Sequence, residues 1–245
     1  MFDVLATDYD GTIAHHGKVD DATLAALQRV RDAGMKLVLV SGRERESLAR
    51  TFSHFEIFDL MVLENGATLY EPSTQSELPL CDPPRADFVQ ALRSANVHPL
   101  SVGQVIVATV EPHHVVVLDA IRTLGLEYQV IFNKGAVMCL PSGINKASGL
   151  KEGLARLGID PHRAVAVGDA ENDHALLELA GIGAAVSNAL QSLKDRADFV
   201  ATRDHGAGVA ELIDAMLAGN LKKRAHVVAV SPRELGDHRE ALPND

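Results

Sequence analysis

The chain has 245 residues, 47% hydrophobic and 23% charged, with 33 acidic against 23 basic side chains and a formal charge of −10. No run reaches the roughly 18 apolar residues of a membrane span, no basic, apolar signal peptide opens the chain at Met1-Phe2-Asp3, and the pair Cys81 and Cys139 cannot frame a disulfide network. The acidic excess and the lack of Trp argue against binding nucleic acid, so the expectation is a soluble, cytoplasmic, globular protein of one large or two modest domains, its oligomeric state open.

Apolar runs and helical patterns alternate from the start. Phe2 to Thr7 predicts a buried strand, and Asp21 to Ala33 an amphipathic helix with Leu24, Leu27 and Val30 on one face and Gly34 as its stop. Lys36 to Val40 is a second strand, Glu44 to Phe52 a helix, and Leu60 to Leu63 a third strand. The alternation returns with a helix over Lys146 to Leu157, a strand over Ala164 to Val167, a helix over Glu171 to Leu179, a strand over Ile182 to Val186 and a helix over Val209 to Leu217. Strands that are apolar throughout and separated by helices indicate a parallel sheet covered on both faces.

Between Ala67 and Ile144 prolines accumulate and strand signals crowd together. Strands are expected at Val105 to Val110, Tyr128 to Phe132 and Ala136 to Leu140, the last two as a hairpin through Asn133-Lys134-Gly135, with helices over Ala86 to Ala95 and His113 to Leu124. The fold class expected is α/β: a Rossmann-like parallel-sheet core over 1–66 and 145–220, a small inserted α+β cap over 67–144, and a tail or linker over 221–245 with one apolar run, Val227 to Val230.

Ligands of open parallel sheets bind beyond the carboxyl ends of the strands. There the chain carries Asp8-Tyr9-Asp10-Gly11-Thr12, Ser41-Gly42-Arg43 and Gly168-Asp169-Ala170-Glu171-Asn172-Asp173, while Lys146 opens the helix before the last of these strands. Taken singly, each is also a turn or helix cap. Together they bring four carboxylates, a hydroxyl and an amide to one crevice. Carboxylates converging there repel one another unless a cation intervenes, and Mg2+ suits oxygen ligands in a site that also holds phosphate.

These four segments resemble the four motifs of the haloacid dehalogenase superfamily, and Glu64-Asn65-Gly66-Ala67 with its following insertion is similar to the Cof-type phosphatase branch. The resemblance spans Met1 to Leu217 and implies a Mg2+-dependent phosphatase of small phosphorylated metabolites, such as sugar phosphates or phosphoglycolate-like acids, working through an aspartyl-phosphate. It implies Asp8 as nucleophile and Asp10 as general acid and base. Asp8, Asp169 and the backbone carbonyl of Asp10 would be metal ligands, with Asp173 in an outer position. Ser41, Gly42 and Lys146 would bind phosphate, Asn172 would lie near it or position Asp8, and Thr12 would orient Asp10. Arg43 could face substrate or pair with a carboxylate. A phosphomutase of the same superfamily and a phosphate-sensing domain of a larger protein are the alternatives. Asn145-Lys146-Ala147 departs from the Lys-Gly of many relatives, which leaves the local turn open.

Other features have plainer readings. His15-His16 and His113-His114 are expected as surface or loop residues, since adjacent side chains point apart. Cys139 is expected to be packed, Asp204-His205-Gly206 to precede the last helix, and Lys134 to face solvent, with substrate contact as its alternative.

Overall fold

The computed structural model describes residues 2–223, so the apolar run at Val227 to Val230 lies outside the described residues. In chain order the elements are β1 (Val4–Asp8), α1 (Asp21–Asp32), β2 (Lys36–Val40), α2 (Arg45–Ala49), β3 (Leu60–Leu63), β4 (Thr68–Glu71), β5 (Ser76–Pro79), α3 (Ala86–Ser94), β6 (Ser101–Val102) and β7 (Val107–Val110). Then follow α4 (His114–Thr123), β8 (Tyr128–Asn133), β9 (Ala136–Pro141), α5 (Lys146–Leu157), β10 (Ala164–Gly168), α6 (His174–Leu179), β11 (Ile182–Ala185), α7 (Gln191–Lys194), β12 (Phe199–Val200) and α8 (His205–Leu217).

The large sheet runs β12-β11-β10-β1-β2-β3-β4-β5 and is parallel from β12 to β3. Its strands are apolar on both faces because both are covered. Leu5, Leu37 and Leu39 pack with α1 and α8 on one side; Val4, Val38 and Val62 pack with Leu150 and Leu154 of α5 on the other. Local chemistry sets the helix ends. The Asp20 carboxylate caps α1 by accepting the Thr23 N–H at 2.7 Å. Asn145 and Ser148 form a reciprocal capping box on α5, and this settles the turn at Asn145-Lys146-Ala147.

The strands β4 and β5 overturn one expected boundary. Residues 68–79, placed in the insert by their prolines and spacing, form a hairpin that extends the large sheet antiparallel from β3. Pro79 is tolerated because β5 is the edge strand and ends there. The second sheet, β6-β7-β9-β8, is antiparallel. One face, with Val107 and Cys139, packs on Phe88 and Leu92 of α3 and Val117 of α4; the other, with Met138 and Leu140, packs with Ala67, Val105 and Ile106. Cys139 is buried as expected, and burial pushes its thiol up to about 12.

Other element boundaries also differ from the sequence reading, three of them for a visible cause. The strand β7 begins at Val107 because the N–H groups of Val105 and Ile106 donate to the Glu64 carboxylate instead of a ladder. The helix expected from Glu171 begins as a tight 3-10 turn over Glu171–Asp173, drawn in by the Asp173 carboxylate, which accepts the N–H groups of Asp169 and Ala170 at 3.0 Å each. The helix expected over Glu44 to Phe52 is shorter, since Phe52 leaves it to pack among Tyr9, Phe55 and Phe58.

Candidate active site

Asp8 ends β1, Asp169 follows β10, and Lys146 is the first residue of α5, so the parallel register brings all three to the carboxyl edge of the sheet. Lys146, 1% exposed, donates to Asp8 Oδ1 at 2.5 Å and to Asp173 Oδ1 at 2.6 Å. The Thr12 hydroxyl lies 3.1 Å from Asp8 Oδ2 and 3.2 Å from Asp169 Oδ1, so its one proton is shared between two carboxylates. Thr12 therefore serves Asp8 and Asp169, and the expectation that it orients Asp10 is corrected: Asp10 turns the other way. Arg43 holds it with a two-pronged contact, Nε to Oδ2 at 2.6 Å and Nη2 to Oδ1 at 2.7 Å.

The charges explain the acid–base behaviour. Burial pushes the Asp8 carboxyl up to about 7; Lys146 opposes the rise, and the neighbouring Asp173 and Asp169 add to it. Burial also raises Asp169, against the pull of Lys134. For Lys146, burial works to remove the charge, but Asp173 and Asp8 outweigh it and hold the ammonium above the ordinary lysine range. The Arg43 guanidinium is likewise raised by its hydrogen bonds to Asp10.

Asp8, Asp169 and Asp173 are all buried, and each offers one oxygen such that the three atoms lie within 4.8 Å of one another. An oxygen-only donor set of this kind fits a hard divalent cation rather than a thiophilic one. The Asp10 side chain stands outside this group, in its pair with Arg43. Around the crevice, the Ser41 hydroxyl oxygen accepts the Arg43 N–H at 3.1 Å and keeps its own proton for another acceptor. Gly42 lies against the Met138 sulfur, which a Cβ would meet at 3.3 Å. Asn172 donates through Nδ2 to Asn65 Oδ1 at 2.9 Å; its side-chain hydrogen bond goes there rather than to Asp8.

Some participants were read otherwise or not at all. Lys134, expected in a solvent-facing turn, donates to Asp169 Oδ2 from the tip of the β8–β9 hairpin. Left-handed backbone at Lys134 (φ 48°) and Gly135 (φ 84°) makes the turn that aims it. Gly11 makes room: a Cβ there would stand 2.2 Å from Asp169 Oδ2. His205, expected to precede a last helix starting at Val209, is instead the first residue of α8, and its Nδ1 lies 2.9 Å from the Gly11 carbonyl, which Asn188 Nδ2 reaches at 2.8 Å. His15 and His16 do not point apart. Their ring centroids are 4.1 Å apart, because His16 adopts a left-handed φ of 50°, and His15 stacks on His205 at 4.5 Å. His113 Nε2 contacts the His98 carbonyl oxygen at 3.0 Å, and the His114 ring lies edge-on to Phe132. Asn65 and Asn188 carry no role in the sequence reading, because their side chains meet residues far along the chain.

This architecture is α/β, a large mostly parallel sheet with a second, small antiparallel sheet. A HAD/COF-like hydrolase from Plasmodium vivax superposes with a TM-score of 0.75 at 18% identity, over 89% of this chain and 96% of that one. The sequence matches the haloacid dehalogenase-like hydrolases over residues 5–101 and 119–213, and the chain belongs to that family. It is 28% identical over 231 residues to phosphoglycolate phosphatase 2 of Saccharolobus solfataricus, covering 91% of this chain and 96% of the relative. It is 28% identical over 218 residues to phosphoglycolate phosphatase of Methanothermobacter thermautotrophicus, covering 85% and 96%. No helix among the described residues is long and apolar enough to cross a membrane.

Proposed function

We propose that the protein is a Mg2+-dependent phosphatase of small phosphorylated metabolites, working through an aspartyl-phosphate on Asp8, with phosphoglycolate-like acids ahead of sugar phosphates as its substrates. One observation carries this reading: Asp8 is buried between the Lys146 ammonium and two further carboxylates, Asp169 and Asp173, at the end of a central parallel strand. Two relatives named as phosphoglycolate phosphatases, alike over most of both chains, support the order of the substrate classes.

In this reading an Asp8 carboxylate oxygen attacks phosphorus, the Asp8 O–P bond forms, and the bond from phosphorus to the leaving oxygen breaks. Asp10 gives its proton to that leaving oxygen. It then takes a proton from the water that cleaves the aspartyl-phosphate and returns Asp8 to its starting state. Lys146 offsets the charge of Asp8 while an anionic group approaches, and the free Ser41 proton and the Gly42 N–H donate to phosphoryl oxygens. Bound at Asp8, Asp169 and Asp173, Mg2+ would screen the carboxylates from the phosphate.

The test is phosphate release from phosphoglycolate and a panel of sugar phosphates, with Mg2+ or with chelator, by the wild type and Asp8→Asn. Release by the wild type with Mg2+ alone supports the reading. Turnover that survives Asp8→Asn or chelation excludes the mechanism, and transfer between two positions of one sugar would make the protein a mutase.

A further inference from the structure

Between β3 and β4 three consecutive residues have left-handed backbone: Glu64 at φ 49°, Asn65 at 56° and Gly66 at 105°. Glycine adopts this region freely, whereas two side-chain-bearing residues in a row hold it only where their surroundings compel them. Each of the three is fastened to a different part of the molecule. The Glu64 carboxylate accepts the backbone N–H groups of Gln104, Val105 and Ile106 at 2.9, 2.8 and 2.9 Å. Gly66 sits so close to the start of α5 that a Cβ would lie 2.0 Å from the Asn145 carbonyl oxygen. Asn65, fully buried, donates its backbone N–H to the Ser41 carbonyl at 3.0 Å.

The Asn65 side chain runs between two segments of the site. Its Oδ1 accepts the Asn172 amide at 2.9 Å, and the same atom is 4.0 Å from where a Cβ on Gly42 would stand. This amide pair is incomplete. Asn65 Nδ2 and Asn172 Oδ1 are both buried with no partner among the described residues. With Asn172 as the donor within the pair, the NH2 group of Asn65 and the oxygen of Asn172 remain unused. A buried donor without an acceptor is costly, and such a group beside a site calls for a partner, a water or a ligand oxygen, that completes it. The nearby carboxylates are already engaged: Asp8 and Asp173 by Lys146, Asp169 by Lys134 and Thr12.

We propose that Asn65 is a further substrate-binding residue, whose free amide N–H donates to a phosphoryl oxygen beside Ser41 and Gly42, with Asn172 orienting it. The assignment rests on the phosphatase reading above. A neutral donor adds no charge to the crevice, and the tethered turn fixes its direction before substrate arrives.

Two substitutions test this without disturbing the turn. Asn65→Gly removes the amide and accepts the left-handed backbone; Asn65→Asp keeps the shape and replaces the donor by an anion. Inhibition by orthovanadate and KM for phosphoglycolate are measured with Mg2+ present. The orthovanadate Ki rises about 10- to 100-fold in Asn65→Gly, the worth of one hydrogen bond to a charged group, and further in Asn65→Asp. In a variant too slow to assay, the rise in Tm produced by inorganic phosphate shrinks in the same order. An Asn65→Asp protein closer to wild type than Asn65→Gly, or a Ki unchanged in both while the wild type hydrolyses the panel, overturns the role of Asn65 alone. A wild type that releases phosphate from nothing overturns the phosphatase reading beneath it.

Discussion

Lys134, at the tip of a hairpin in the small sheet, donates its ammonium proton to Asp169, a fully buried carboxylate at the edge of the large sheet. The lysine side chain is 51% exposed, so it reaches in from the surface to offset a charge that burial disfavours. Asp169 is also one of the three carboxylates close enough to share a cation, so an ion bound there would share this carboxylate with the lysine.

Removing this competitor is expected to tighten metal binding. Lys134→Gln should bind Mn2+ about tenfold more tightly than wild type, the equivalent of about 1.4 kcal/mol. Electron paramagnetic resonance titration of free Mn2+ measures this directly. Equal or weaker affinity in the variant would mean that the ammonium and the ion do not share Asp169.

Lys146 plays a different part, because it is buried with both of its carboxylate partners. Lys146→Met leaves Asp8 and Asp173 facing each other without compensation, and this is expected to cost about 3–5 kcal/mol at neutral pH in metal-free protein. Urea unfolding reads the loss. It should shrink as pH falls and Asp8 takes up its proton, from a higher pH than in wild type because Lys146 no longer opposes the rise. A variant as stable as wild type at pH 8 would contradict the account of a buried ion network.

The Asp8 carboxyl, raised by burial from 3.8 to about 7, also ties stability to pH. A raised carboxyl is protonated more readily folded than unfolded, so its contribution is fully present below about pH 4 and is lost as pH climbs through about 7. In metal-free protein the stability of wild type relative to Asp8→Asn should therefore fall across that window and level off above it. Chemical denaturation of both at intervals from pH 4 to 8 checks the slope; a flat difference would place the Asp8 titration elsewhere.

Much of this was legible in the sequence where structure is local. The apolar runs Lys36–Val40 and Leu60–Leu63 form β2 and β3 with the bounds read from them, and α5 runs from Lys146 to Leu157 as its periodicity predicts. The carboxylates and Lys146 could be grouped because parallel strands deliver their carboxyl ends to one edge, whatever the loops do. What escaped depends on partners distant in the chain. Lys134 gains its meaning from how the hairpin docks on Asp169, and Asn65 from meeting Asn172, 107 positions on. The β4–β5 hairpin has no strand signal in the sequence reading, because its residues fall in the proline-containing stretch assigned to the insert, and only pairing with β3 places it in the large sheet.

Arg43 offers two roles that kinetics can separate. Its guanidinium grips both oxygens of Asp10, and it also stands 5.4 Å over the Tyr9 ring, whose hydroxyl is tied to the Gly17 carbonyl at 2.9 Å. Under the mechanism proposed above, Arg43 seated this way would fix the direction of Asp10 rather than reach for substrate. Arg43→Ala should then lower kcat about tenfold or more with KM nearly unchanged, because a misdirected acid slows proton transfer without weakening binding. Arg43→Lys should recover only part of the rate, since an ammonium cannot reproduce the two-pronged contact. Steady-state kinetics on phosphoglycolate decide the matter. A rise in KM at constant kcat would assign Arg43 to the substrate and leave Asp10 to be oriented by its own loop.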